Sequence, residues 1–372
     1  MKVVLVGHAG AHLRLLQRLQ REPLPDVDGR LGVTLVSTQT RWLNPRRLAQ
    51  WVAGDVDLAP LEVPVAEAVG NTDAAQPARL HWLQHKVVAL DAHAGHLRLS
   101  DGSELAFDVL SIHGAAGQDR RRVEAAIPGA REHGLFVRPL ELFVGLWPQV
   151  LAMAATKNLR IAVIGAGQTG IELALAIAHR LPSCRVTLLT GGAAPGARLA
   201  AALQPIVLRA LTRAGVTILQ DRVTVIRADE LGLQSGARLA CDVPLLATTA
   251  HPPTWLAGSG LALDANGFVL VNGAGQSSRH ANIFASGEIS RHDTDTQGAV
   301  PASDAHIANR LAQILTIAAR GEALQPAPQR ATSDSGGAPT FITLGSHNAA
   351  VDWGRVVMRG RTVAWVKQVL GY

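Results

Sequence analysis

The residues with the plainest chemical capacity are the glycines of LRIAVIGAGQTGIELALAIAHRL, residues 159–181. The stretch reads as a strand from Ile161 to Ile164, a turn bearing Gly165, Gly167 and Gly170, and then a helix. Each glycine answers a physical demand. Gly165 makes the tight turn, Gly167 lets backbone approach a diphosphate, and Gly170 lets helix pack closely on strand. The helix N-terminus then offers unpaired N–H groups and a partial positive charge to phosphate oxygens. RVTLL (185–189) follows at the spacing of the next strand in a βαβ unit.

The same grammar opens the chain. KVVLVGHAGAH predicts a strand at 3–6 and a helix over about 11–21, and VTLVS supplies a strand at 33–37. Gly7 holds the first glycine position, Ala9 the second, with Gly10 beside it, and His12 the third. Ala9 brings a methyl group to the place where backbone should approach a diphosphate. Dinucleotide sites also carry an acid roughly 20 residues after the glycines to hold ribose hydroxyls. No Asp or Glu occurs from Leu31 to Gly54, where the strand ends in Ser37 and Thr38, nor from Arg185 to Gln220. For a long dinucleotide with many other contacts the missing acid is survivable. In the second unit three alternatives stay open: Arg198 pairs with a 2′-phosphate and favours NADPH, Arg198 is a solvated loop residue, or that unit binds no nicotinamide.

The rest of the chain supplies the elements that position these turns. Short alternating strands with a Ser-Asp-Gly turn at 100–102 lead to a buried strand at Val109–Ile112. After the second turn the pattern recurs and ends in a buried strand at Val243–Ala247. IFASGEIS (283–290) supplies a late strand and residues 302–321 a helix, followed by a Pro/Gly/Ser-rich linker at 322–339. The expected fold is α/β, with two Rossmann-like domains, the second inserted in the first, and a small C-terminal appendage. The boundaries read as 1–125 and 260–325 for the first dinucleotide-binding-like domain, 126–259 for the second, and 326–372 for linker and appendage.

Composition removes several classes. With 372 residues, 48% hydrophobic and 17% charged, the chain is globular rather than disordered. No segment approaches the roughly 20 apolar residues of a membrane span, and no signal-peptide pattern follows Met1, so a cytoplasmic protein is expected. Cys184 and Cys241 form no C-x-x-C pair, which argues for buried thiols rather than a zinc site, an iron–sulfur site or disulfide chemistry. The 14 histidines show no H-E-x-x-H spacing, and no metal is expected. The net charge of +6 is scattered except at Arg120–Arg122, which reads as a solvated surface and not a nucleic-acid partner.

Both glycine turns, both meanders and the late Gly-Glu element together resemble the two-dinucleotide-binding-domain flavoproteins. The likeness is to the type II NADH dehydrogenase and sulfide:quinone reductase group. It is nearest to the short FAD-containing NADH dehydrogenase-like members sometimes fused to selenophosphate synthetases, and it covers nearly the whole chain. The first loop of that group often reads G-x-G-x-x-H, which makes His12 a family trait. IPGAREHGLFVRPLELF (127–143) resembles the linker into the second domain. GFVLVNGAGQSSRHANIFASGEI (267–289) resembles the segment that ends in Gly-Asp at the flavin ribityl chain, here Gly287 and Glu288. SHNAAVDWGRVVMRGRTVAWVKQ resembles the C-terminal tail. Departures are Ala9, Glu288 in place of Asp, and Thr249 in place of Gly in LLATTAHPP.

The resemblance implies FAD held by Gly7, Ala9, Gly10, His12, Ser37, Gly287, Glu288 and Ala299, the last on the stretch leading into the late helix. It implies NAD(P)H as co-substrate at Gly165, Gly167 and Gly170, with Glu172 as the catalytic carboxylate near the nicotinamide. Electrons would pass from NAD(P)H through flavin to a quinone or similar small-molecule acceptor. The tail combines Trp353, Val356, Val357, Met358 and Trp365 with Arg355, Arg359, Arg361 and Lys367. It suits a peripheral contact on the inner face of the membrane, packing on the flavin domain, or a homodimer interface, and Arg359–Arg361 suggests a hairpin turn. Two further readings stay open: a non-catalytic binding or scaffold protein on a degenerated flavoprotein fold, and a flavin enzyme acting on a specialised organic substrate.

Overall fold

The computed structural model describes residues 1–7, 10–22, 31–59, 62–69, 79–114, 117–197, 199–248, 251–293, 304–320, 339–353 and 356–369. Ala9, Arg198, Thr249 and Ala299 lie outside the described residues. The chain begins with β1 (Lys2–Val6), α1 (Gly10–Arg21) and β2 (Gly32–Val36), passes through α2 (Leu48–Ala53), and resumes with β3 (Arg79–Leu83) and β4 (Val109–Gly114). The middle adds β5 (Leu135–Phe136), β6 (Arg160–Ile164), α3 (Gln168–Arg180), β7 (Arg185–Leu189), β8 (Thr217–Leu219) and β9 (Val243–Leu246). The remainder holds β10 (Ile283–Gly287), α4 (Asp304–Ala319), β11 (Thr340–Thr343), β12 (Ala349–Trp353), β13 (Val356–Gly360) and α5 (Arg361–Val369).

Two units result. The first comprises Met1–Leu43, Glu62–Ala116 and His251–Gly337; the second comprises Asn44–Leu61, Gly117–Ala250 and Ala338–Tyr372. Each is built on a five-stranded parallel sheet, in the order β10-β4-β1-β2-β3 in the first and β5-β9-β6-β7-β8 in the second. In each sheet the chain leaves the first strand of the βαβ unit in one direction and returns on its other side. The order therefore reverses between β1 and β4, and between β6 and β9. Parallel sheets bind ligands at the carboxyl ends of strands beside such a reversal, and both glycine turns sit there.

The apolar runs follow from burial on both faces of each sheet. In the first unit Val3 and Leu5 pack with Leu15 of α1 and Leu311 of α4. Val4 packs on the opposite face with Leu97, Leu110 and Ile283. The antiparallel ribbon made by Val87–Asp91, His96–Leu99 and Glu104–Ala106 covers that face, and its counterpart in the second unit spans 223–240.

Three details differ from the sequence reading. The strand expected at 283–290 ends at Gly287, where φ reaches +78°, and Ser290–His292 pairs separately with Val269–Val271. Segment 44–61, expected in the first domain, belongs to the second unit. There α2 buries Leu48, Ala49, Val52 and Ala53. Residues 339–369 also belong to the second unit instead of standing apart. Their hairpin pairs Trp353 with Val356, so Arg359–Arg361 is not its turn but the junction where β13 runs into α5.

Candidate functional site

In the first unit the turn after β1 is set by backbone. Gly7 has φ +86°, and a Cβ there would overlap the carbonyl oxygen of His113 on β4, so any side chain at this position meets both strain and collision. The Gly7 N–H donates to Val36 O at 3.0 Å. His12 is fully buried. Its Nδ1 lies 2.6 Å from Gly7 O and its Nε2 lies 2.8 Å from Ser111 Oγ. A carbonyl can only accept, so Nδ1 carries the proton, and in the neutral ring Nε2 accepts from the serine hydroxyl. His12 is thus a clamp that ties the turn to β4, beneath the place a cofactor would occupy.

A second buried histidine continues this layer. His113 Nδ1 lies 2.7 Å from Ser286 Oγ on β10, and its ring is 5.7 Å from that of His12. Gly287 passes close by: a Cβ there would come within 2.9 Å of Gly114 O. Glu288 donates its backbone N–H to Gly114 O at 3.1 Å and turns its side chain to the surface. Ser37 is buried at the end of β2, its carbonyl accepting from Trp82 Nε1 at 3.0 Å and its hydroxyl from Gln39 N–H at 3.2 Å. Gly10 begins α1, and the carboxylate of Asp304, the first residue of α4, fills the space a Cβ on Gly10 would need.

In the second unit Gly165 has φ +118°, and a Cβ there would overlap Ala247 O; one on Gly170 would overlap Gly165 O. Gly167 is different. It caps α3 with no side-chain cap, the first turn of α3 holds no acid, and a Cβ on it would meet nothing within 4 Å. Two of the three glycines are required by the protein's own packing, and the third leaves room at a positive helix end. That fits a dinucleotide diphosphate. Gln118, which sequence reasoning missed, fixes the neighbouring strand end: its Nε2 donates to Leu246 O at 2.8 Å and Thr248 Oγ1 at 3.0 Å, while its Oε1 accepts from Arg138 N–H at 2.9 Å.

Glu172 lies within the first two turns of α3, engaged by the C-terminal segment. Its Oε1 accepts from Thr343 N–H at 2.7 Å, and Lys367 Nζ lies 3.5 Å away. Gln168, one turn earlier, donates to Phe341 O at 2.8 Å. Beyond β7, Thr190 Oγ1 donates to Ala193 O at 2.5 Å, and Gly191 N–H donates to Asp221 O at 3.0 Å. Asp221 therefore brings an acid to this edge from the adjacent strand. Its carboxyl is held below the usual range by the Ser235 hydroxyl and the Arg222 N–H.

Cys241 is buried at the entrance to β9, and desolvation pushes its thiol up to about 11. Cys184 is half-buried, and both thiols are free. Among the described residues no three His, Cys, Asp or Glu converge as metal ligands, and no helix is long and apolar enough to cross a membrane.

The sequence pattern of the pyridine nucleotide-disulphide oxidoreductases matches residues 1–309. An NADH dehydrogenase-like protein of Mycobacterium tuberculosis is 26% identical over 260 residues, 64% of this chain and 60% of that protein. The chain thus spans well under two thirds of that relative's length. Among solved structures, NDH2 from Plasmodium falciparum in complex with NADH superposes with a TM-score of 0.69 at 12% identity, covering 99% of this chain and 93% of that one. The sulfide:quinone oxidoreductase of Aquifex aeolicus gives 0.68 at 15% identity, covering 99% and 89%.

Proposed function

Because the chain belongs to the pyridine nucleotide-disulphide oxidoreductases, we propose that it is an FAD-dependent NAD(P)H dehydrogenase delivering electrons to a quinone or similar small-molecule acceptor. The observation that carries this reading is the pair of glycine turns, one in each unit, each lying beside a strand-order reversal at the carboxyl end of a parallel sheet. Disulfide chemistry is not part of the proposal, since Cys184 and Cys241 are far apart in sequence and form no C-x-x-C pair.

FAD, when bound, supplies the two-electron chemistry, accepting a hydride from reduced nicotinamide and releasing electrons to the acceptor. The protein supplies position and electrostatics. Gly7 and the N-terminus of α1 would meet the flavin diphosphate, with His12 clamping the turn from below. Gly287 and Glu288, at the end of β10, would face the ribityl chain, and Ser37 the ribose. In the second unit Gly165 and Gly170 shape the turn, and Gly167 leaves the N-terminus of α3 open to the nicotinamide dinucleotide. Glu172, oriented by Thr343 and Lys367, would bond the carboxamide or ribose.

The tail exposes Trp353, Val356, Met358 and Trp365 beside Arg359 and Arg361. Aromatic, apolar and basic groups together favour a peripheral contact with the inner face of the membrane, in an otherwise cytoplasmic protein. Flotation with anionic vesicles tests it, and a protein that stays unbound while running as a dimer would assign this face to a second copy.

One observation favours another reading: the Asp304 carboxylate stands against the first residue of α1. A binding or scaffold protein on this fold would tolerate it. The purified protein decides between them by its absorption spectrum and by chromatography of what heat releases. The dehydrogenase reading expects flavin bands and about one FAD per chain; a colourless protein that takes up no added FAD, even with the Asp304 charge removed, would establish the scaffold.

A further inference from the structure

Asp304 has close neighbours beyond its own helix. It is the first residue of α4, with a side chain 21% exposed. Its carboxylate leans away onto α1 and lies where a Cβ of Gly10 would be. On its other flank, Oδ1 is 3.8 Å from Nδ1 of the buried His113. Helix α1 carries no acid in its own first turn, and this carboxylate stands beside its positive end. A larger residue at Gly10 would have to displace that carboxylate.

We propose that Asp304 is an internal anion that occupies the phosphate-binding end of α1 and opposes the diphosphate of FAD, so that the carboxylate must leave Gly10 for the dinucleotide to seat. The inference rests on the reading of the first unit as an FAD site. The physical basis is charge. The N-terminus of a dinucleotide-binding helix attracts diphosphate through N–H groups and a partial positive charge. A carboxylate already there repels the incoming anion over a few ångströms, on a side chain only 21% exposed. Under the same reading Gly7 and His12 belong to the turn that would receive the dinucleotide. Asp304 therefore sets how tightly it is held, and whether the purified protein retains it.

The test is flavin binding to the full chain after removal of bound nucleotide, followed by fluorescence and calorimetry. FAD is the probe, and riboflavin, which lacks the diphosphate, is the control. Asp304→Asn, which removes the charge and keeps the shape, is expected to bind FAD at least about tenfold tighter than the parent, with riboflavin unchanged. Asp304→Glu, which keeps the charge, is expected to show no gain. If Asp304→Asn fails to fold by circular dichroism, Asp304→Ser keeps a capping oxygen without the charge and carries the same comparison. Equal or weaker FAD binding by the uncharged variant overturns the proposal and leaves the FAD reading standing. No FAD binding by either protein overturns both. A parent that takes up no FAD and an uncharged variant that does would support both.

Discussion

Lys367 Nζ lies 3.5 Å from Glu172 Oε1 and donates to Thr343 Oγ1 at 2.6 Å, with only 7% of the lysine side chain and 14% of the glutamate exposed. Three elements of the second unit, α3, β11 and α5, meet at this buried pair. An exposed ion pair is worth little, whereas a pair withdrawn from water is costly to break from one side. The two partners are not equivalent, because Glu172 keeps the N–H of Thr343 when the lysine is gone.

Truncating the glutamate should therefore cost more than truncating the lysine. Glu172→Ala leaves a buried ammonium with one hydroxyl partner and is expected to destabilise by about 3 kcal/mol. Lys367→Met, which keeps the volume and leaves the carboxylate bonded, should cost about 1 kcal/mol. Chemical denaturation of both variants measures the asymmetry, and equal losses would mean the pair is effectively solvated.

The glycines of the second turn should separate by function. Gly167→Ala meets open space and is expected to leave the melting temperature within about 1 °C while weakening NADH binding about tenfold or more. Gly165→Ala meets Ala247 O at φ +118° and should destabilise by about 2–4 kcal/mol before any ligand is added. Thermal melts beside NADH titrations distinguish the two.

These turns were legible in the sequence because a strand, a glycine turn and a helix are neighbours along the chain, each with a local signature. The Rossmann-like fold class followed as well, since apolar runs at βαβ spacing allow few other sheets. The partners of the site residues were not legible. His12 reads as a substituted third glycine, and its partner Ser111 is 99 positions away. Lys367 reads as one of several cations on an amphipathic tail, yet it turns inward to Glu172, 195 positions off. Asp304 carries no signal in the sequence, and its carboxylate lies beside Gly10, 294 positions off. Pattern records which residues share a face; it does not record which distant group each one meets.

Acid stability should depend on Asp242. Its carboxylate accepts from Arg160 N–H at 2.8 Å and Nε at 2.9 Å, with Lys157 Nζ at 3.3 Å, and the guanidinium holds its carboxyl well below the usual carboxylate range. A group depressed in the folded state contributes stability that is full above the unfolded value, near 3.9, and lost as pH falls through the folded one. Asp242→Asn is expected to lower the melting temperature by about 2–4 °C at pH 7 and by progressively less below pH 4. A difference that stays constant to pH 2 would assign the effect to packing.

Cys241 should resist alkylation. With its thiol pushed up to about 11 by burial, roughly a thousandth is thiolate at pH 8, and thiolate is the reactive form. Iodoacetamide at pH 8 is expected to modify Cys184, which is half-buried, and to spare Cys241 until the protein unfolds. Rapid labelling of both, read by mass spectrometry of peptides, would contradict the burial.

The central claim is that this chain moves electrons from a reduced nicotinamide into a bound flavin. The most direct measurement is anaerobic titration of the FAD-loaded protein with NADH and with NADPH, followed at the flavin absorption near roughly 450 nm. Stoichiometric bleaching by at least one of them, reversed by a quinone, is the predicted result. A flavin that stays oxidised with both, while dithionite reduces it, would contradict the account.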